Sequence, residues 1–486
     1  MNVIIYLSVL ITFLFTLINI DISPILRLFV IFIPICLLTY LCIKKFYLFA
    51  NFITLWFGLQ RYIGLIISLF PIFTITSFRI FFIIKEIIFL YVFIVLFLLF
   101  TTKKIKLKLH VCDIMLILYC CMLLFNCLFF DGNIWLKVLS LRRFIMLPLI
   151  YFIGRMAILS FKNVKNVLKF TVLFTVIICF YGLFEYFGSR DFIYTKLFDI
   201  DLFFEKQVLA GFIPIRFITG GILNTGIFID YTFGILKPRL LTTFLEPTTL
   251  GAYLAFVFCI TIFNRAYFKI LNFKNVRFNI LPLIFSFLFL LCIILTFSKG
   301  ALIILLCSSS FILYFQKKIP FFIRRIYFYG VYVILFSSIL FYILNPSGVS
   351  AHINGLRTGI ITGLCNPFGL GLGNAGNYME GSSTESIGAE SAVGNTIAQI
   401  GIIGYMPYLL FLFFTIQKVI KDYKNIEVTD SLFAKYILTT LGLFIGYSIN
   451  SLFTESALGV TGNLYYFLFL GINITLIEKI KKGTRI

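Results

Sequence analysis

Residues 238–263 read PRLLTTFLEPTTLGAYLAFVFCITIF. After Glu246 no charged side chain occurs until Arg265. An apolar run of about 17 to 25 residues is long enough to cross a bilayer as a helix. The stretch therefore reads as a membrane helix with Arg239 and Glu246 at its mouth. A charge there is costly unless water, a partner or a substrate meets it.

The same kind of apolar run recurs from end to end. Of the 486 residues, 61% are hydrophobic and 12% charged, about half the charged share of a soluble protein. No soluble domain of ordinary size fits between the runs. The expected class is an all-α, polytopic membrane bundle, because lipid-facing backbone must satisfy its own hydrogen bonds. The first run, VIIYLSVLITFLFTLINI (3–20), has no basic flank and no small-residue cleavage site, and reads as a retained helix.

The formal charge of +22 raises the possibility of a nucleic-acid partner, but its placement argues against that. Basic clusters fall between alternate apolar runs: Lys44–Lys45, KKIKLK (103–108), Arg155 to Lys169, Arg265 to Arg277, Lys317 to Arg325, Lys418 to Lys424 and Lys479 to Arg485. This is positive-inside patterning. Placing the clusters in the cytoplasm gives about fourteen transmembrane helices with both termini inside. The expected spans are 3–20, 25–43, 46–70, 80–100, 111–129, 141–158, 168–187, 246–263, 279–297, 300–316, 326–344, 393–416, 431–450 and 461–478. Arg61, Arg79, Lys85 and Glu86 interrupt the third and fourth, so part of 60–86 is expected to lie at the interface or re-enter. Two long loops fall outside, at 188–240 and 345–391. The first has mixed charge (RDFIYTKLFDIDLFFEK, 190–206); the second is rich in Gly, Ser and Asn.

The eleven cysteines include no CxxC, and the only histidines are His110 and His352. No metal site and no cofactor is expected.

Outer-side cations should be few, so each invites a reason. Arg142 and Arg143 begin one helix, Arg239 precedes another, Lys299 sits at an outer turn, and Arg357 lies in the second loop. Any one of them serves equally well as an interfacial anchor. Together, beside the outer leaflet, they suit a lipid-linked phosphate or diphosphate, which guanidinium groups bind as a fork. Among the carboxylates, Glu246 precedes a Pro at the first helical position, where an acid meets the positive helix end. An ion pair with Arg239 is its alternative use. Glu390 lies just before a late helix, as a cap or a site acid. Glu455 marks another outer turn. NPFGLGLGNAGN (366–377) is not a dinucleotide fingerprint, since no strand precedes it. It reads as a flexible turn, or as a tight loop that presents backbone N–H groups to a ligand.

Several of these segments occur in a familiar order: SLRRF (140–144), a long loop, PRLLTTFLEPTTLGAYLAF, LTFSKGALIILL (295–306), Arg357, NPFGLGLGN, and ESAVGNTIAQIGIIGY (390–405). In that order the chain resembles the O-antigen polymerase and ligase (Wzy/WaaL) superfamily, and Glu390–Ser391, where ligases usually carry a histidine, looks more like a polymerase. The resemblance implies a GT-C-like bundle in the bacterial inner membrane, with its active site facing the periplasm. It implies a glycosyltransferase that moves a glycan from undecaprenyl diphosphate to a sugar hydroxyl of a second lipid-linked repeat unit. Arg239 and Arg357 would hold the diphosphate, supported by Arg142, Arg143 and Lys299, with no metal. Glu390, or else Glu246, would be the base, and direct attack would invert the anomeric carbon. A chain-length regulator is an expected partner beside the lipid bilayer. A ligase to lipid A core and a transporter of lipid-linked sugars are the alternatives.

Overall fold

The computed structural model describes residues 39–41, 43–70, 74–105, 107–157, 159–190, 192–210, 229–230, 237–264, 280–315, 320–344, 351–376, 387–388, 390–426 and 431–481. The expected span 3–20 and nearly all of 25–43 lie outside them.

The described chain is almost wholly helical. Its α-helices are α1 (Phe46–Ser68), α2 (Ile75–Thr101), α3 (Val111–Phe129), α4 (Ile134–Met156), α5 (Phe161–Phe184), α6 (Ile200–Leu209) and α7 (Pro247–Phe263). Then follow α8 (Leu281–Leu295), α9 (Lys299–Phe315), α10 (Phe321–Leu344), α11 (Ala351–Cys365), α12 (Ala392–Ile426), α13 (Ser431–Asn450) and α14 (Val460–Lys481). A two-residue antiparallel pair, Ile229–Asp230 with Lys237–Pro238, is the one strand pairing among the described residues. Seven of these helices are long and apolar enough to cross a membrane, and α7, α8 and α9 are shorter apolar helices. The molecule is a polytopic membrane bundle.

Helix starts follow local chemistry. Asn133, Ser160 and Asp199 cap α4, α5 and α6 by accepting the backbone N–H groups of Trp135, Asn163 and Leu202. The centre is α14, which is buried along nearly its whole length. It lies directly on α4: a Cβ on Gly154 would sit 2.3 Å from the Leu468 carbonyl, and one on Gly471 2.2 Å from that of Tyr151. Small residues permit such backbone contact, which is how helices associate without a hydrophobic drive between them.

Three regions show local structure that hydropathy alone does not specify. Helix α1 continues through Arg61, which meets Glu246, and α2 through Arg79, Lys85 and Glu86, with Arg79 donating to the carbonyls of Ala210 and Leu209. The stretches 188–240 and 345–391 include helix among their described residues: a π-helical turn (Phe192–Leu197) and α6 in the first, and α11 in the second. Arg155, read as part of a basic topology cluster, is wholly buried in an ion pair with Asp113 at 3.0 Å.

Helix α12 is broken at Gly401 (φ 73°, ψ 172°). The glycine-rich loop repairs the break. Leu370 and Gly371 donate backbone N–H groups to the carbonyls of Ala398 and Gln399, and Ile403 N–H donates to the Pro367 carbonyl. The loop can follow this path because Gly369, Gly371, Gly373 and Gly376 all adopt positive φ, which glycine does without a Cβ penalty. The N–H groups expected to face a ligand are therefore spent inside the protein. Leu372 N–H goes to Asn126 Oδ1 and Gly373 N–H to Gln399 Oε1.

Candidate functional site

Antiparallel threading brings the start of α2, α4, α7, α9, α12 and α14 to the same end of the bundle as the close of α1, α3, α5, α8 and α13. The candidate residues gather at that end.

The segment before α7 is strained. Thr242 and Leu245 have positive φ (53° and 50°), a conformation non-glycine residues adopt at a cost of about 1–2 kcal/mol. Local contacts hold it: Thr242 N–H donates to the buried Glu185 carboxylate at 2.9 Å, and Leu240 N–H to the Leu295 carbonyl at 2.9 Å. Pro247 is the first residue of α7, and Glu246 precedes it without capping it. The Glu246 carboxylate instead takes Arg61 at 2.6 Å and the Thr248 hydroxyl at 3.1 Å. Arg61, not Arg239, is thus the ion-pair partner of Glu246.

Helix α2 brings Lys85 and Glu86 to the same place. Lys85 interacts electrostatically with Glu86, Arg142, Arg61 and Glu246. Arg142 Nη1 lies 3.8 Å from Glu86 Oε1. The next residue, Arg143, turns to the other side of α4 and donates to Glu455 at 2.9 Å. Glu455 also accepts from Asn395 Nδ2 at 3.0 Å, and Gln399 donates to Asn395 Oδ1. Beneath Arg143 lies a small pocket whose walls include Tyr119, Tyr405, Tyr408, Tyr447 and Phe467.

Arg239 is held at the join of α8 and α9. Its Nε donates to the Thr296 carbonyl at 3.0 Å, and its own carbonyl accepts from Arg190 at 3.1 Å. Phe297, in the same join, has φ 48°. Lys299 follows as the first residue of α9; it is exposed and has no hydrogen-bond or ion-pair partner among the described residues. Gly251 lets α7 close on this turn, since a Cβ there would lie 2.8 Å from that of Ala301.

Arg357 is half-buried on α11 and likewise unpartnered among the described residues. Helix α11 packs backbone to backbone on α12 through Gly355, Gly359 and Gly394. Glu390 (φ 66°) lies 3.6 Å from His352 of α11 through its carboxylate, and its carbonyl lies 3.2 Å from the same imidazole nitrogen. Ser391 then donates to the Leu452 carbonyl, and Ala392 N–H to that of Thr454, which fixes this segment beside Glu455. The Lys299 turn adjoins through Gly300, whose Cβ would lie 2.5 Å from Asn450 Oδ1.

The structure therefore brings Glu246 and Arg142 into one cluster. Arg143 joins Glu455, Arg239 shares a turn with Lys299, and Glu390 lies at the junction of α11 and α12, with Arg357 on α11. Sequence reading left out Arg61, Lys85 and Glu86 as site residues. Their signal was present: an ionisable residue inside an apolar helix is by default a functional candidate. It also underweighted Glu455, which is 6% exposed.

No family model matches the chain, and a search of curated proteins finds none similar to it.

Proposed function

We propose that this protein is a lipid-linked glycan polymerase of the O-antigen polymerase type. It moves a glycan from undecaprenyl diphosphate to a sugar hydroxyl of another lipid-linked repeat unit at the outer face of the bacterial inner membrane. On this reading the bundle is GT-C-like, with about fourteen crossings and both termini in the cytoplasm. The observation that carries the proposal is the gathering of Arg142, Arg143, Arg239, Lys299 and Arg357 with Glu246 and Glu390 at one end of the bundle.

The chemistry follows from charge. As the sugar–phosphate bond breaks, the diphosphate gains negative charge, and preplaced cations stabilise it. Lys299 and Arg357, unpartnered among the described residues, are free to take phosphoryl oxygens. A carboxylate near the acceptor removes the hydroxyl proton as the new C–O bond forms, a contribution of about 10²–10⁴-fold. Glu390 is half-exposed beside His352, where an incoming sugar can reach it. Glu246 is less exposed and pairs with Arg61 at 2.6 Å, so the more accessible Glu390 is the better placed base. A chain-length regulator would complete the assembly.

The break in α12 is a feature of transporters, and it favours that second reading. Against it, the break is filled by the glycine loop rather than left open to a ligand.

Purified protein given undecaprenyl-diphosphate repeat units is expected to build a ladder of longer glycans without ATP. Arg239→Ala and Arg357→Ala are expected to abolish the ladder with folding intact. A ladder that survives both changes removes the diphosphate clamp. Transfer only to lipid A core moves the assignment to a ligase, and ATP-independent movement of substrate without a ladder moves it to a transporter.

A further inference from the structure

The cluster formed by Arg61, Lys85, Glu86, Arg142 and Glu246 contains two unmet needs. Glu86 is 8% exposed, and among the described residues its Oε2 has no hydrogen-bond partner. A buried carboxylate oxygen without a donor is costly. Lys85 is half-buried, and among the described residues no acceptor meets its ammonium. The two do not satisfy each other. They are consecutive on α2, and neighbouring helical side chains point about 100° apart. Arg61 is committed to Glu246 at 2.6 Å, and Arg142 reaches Glu86 Oε1 only at 3.8 Å. Arg61, Lys85 and Arg142 lie roughly two to three turns inside the ends of α1, α2 and α4.

A ligand that satisfies both needs must present an anionic acceptor and a hydroxyl donor a few ångströms apart. A phosphate ester flanked by hydroxyls has that chemistry. We infer that Lys85 and Glu86 form a subsite for the first sugar and its phosphate in a glycosyl diphosphate lipid. Lys85 binds a phosphoryl oxygen, Glu86 Oε2 accepts from a hydroxyl of the sugar, and Arg142 and the Arg61–Glu246 pair position the two. The identity of this lipid rests on the glycan-transfer reading, whereas the unmet needs of Lys85 and Glu86 do not. The subsite differs from the Arg239 and Arg357 clamp: it reads sugar and phosphate together.

The test is equilibrium binding to the full chain in detergent. The probes are undecaprenyl diphosphate bearing one N-acetylglucosamine, sugarless undecaprenyl diphosphate, phosphatidylglycerol and inorganic pyrophosphate. Lys85→Met is expected to weaken binding of both polyprenyl diphosphates about tenfold or more, as loss of a charged hydrogen bond predicts. Lys85→Arg is expected to keep most of it, which separates lost charge from lost fold. Glu86→Gln is expected to weaken binding of the glycosylated lipid and leave the sugarless one unchanged, a split that a merely structural carboxylate would not produce. Unchanged affinity in Lys85→Met, or an equal loss for both lipids in Glu86→Gln, overturns the subsite. Equal wild-type affinity for phosphatidylglycerol or for free pyrophosphate overturns it too, by making the ligand a bulk headgroup or a soluble anion. The ladder assay is read separately. A ladder with Lys85-independent binding sinks this inference alone, and Lys85-dependent binding without a ladder sinks the polymerase alone.

Discussion

Arg155 is wholly buried, as is its partner Asp113. The guanidinium is also 2.9 Å from Glu478, donates to Thr475 Oγ1 at 3.0 Å, and donates to the Lys108 carbonyl at 2.7 Å. Asp113 accepts from the Tyr151 hydroxyl at 2.6 Å and from the His110 backbone N–H at 2.8 Å. The network ties α3, α4 and α14 together at the end opposite the candidate site. Arg155 and Asp113 are not equivalent within it. Without Asp113, Arg155 still has Glu478; without Arg155, Asp113 keeps hydrogen bonds but no cation in contact. Breaking a buried pair costs about 3–5 kcal/mol, mainly from the charge left behind. Arg155→Gln is therefore expected to fall in that range and Asp113→Asn clearly below it, measured by thermal unfolding in detergent. Equal losses would show that Glu478 does not compensate.

At the scale of elements, Gly401 and Gly369 form one device. A Cβ on Gly401 would lie 2.0 Å from the Pro367 carbonyl oxygen, and one on Gly369 2.2 Å from that of Gln399. Both glycines also have positive φ (73° and 86°). Backbone strain of this kind costs about 1–3 kcal/mol, and the clash adds to it. Either glycine changed to Ala is expected to lower the melting temperature. Gly330→Ala on α10, where no described residue beyond its own helix backbone lies within 4 Å of the added Cβ, is expected to leave it unchanged or raise it. A Gly401→Ala protein as stable as the wild type would show that the broken helix can straighten. This device also marks the limit of what the sequence discloses. Spans such as Val111–Phe129 and Ser431–Asn450 coincide with those read from hydropathy, because a lipid-crossing helix needs only length and apolar composition. QIGIIGY reads as continuous helix, since nothing local says that Gly401 must turn left-handed to meet a loop. In the same way, Glu246 and Arg142 stood out as charges beside helix starts. That Glu246 meets Arg61, or that Glu86 Oε2 meets no donor among the described residues, is decided only when α1, α2, α4 and α7 pack together.

At the scale of the whole molecule, charge is sorted between the two ends. One end carries the Arg61 cluster, Glu455, Lys299 and Glu390. The other carries Lys103, Lys104, Lys418 and Lys481, with Asp422 bonded to the last two. Lysines near a membrane favour the cytoplasmic side, so the candidate site is expected to face outward. Cys365, at the close of α11, is exposed, as is Lys104 in the turn after α2. Two chains test the orientation: one retaining Cys365 as its sole cysteine, and one with Lys104→Cys as its sole cysteine. A membrane-impermeant maleimide is expected to label Cys365 in intact cells and the residue 104 thiol only after permeabilisation. The reverse pattern would put the cluster in the cytoplasm. There, soluble nucleotide sugars supply glycosyl groups directly, and a headgroup clamp for an outer-leaflet glycan carrier would have nothing to hold.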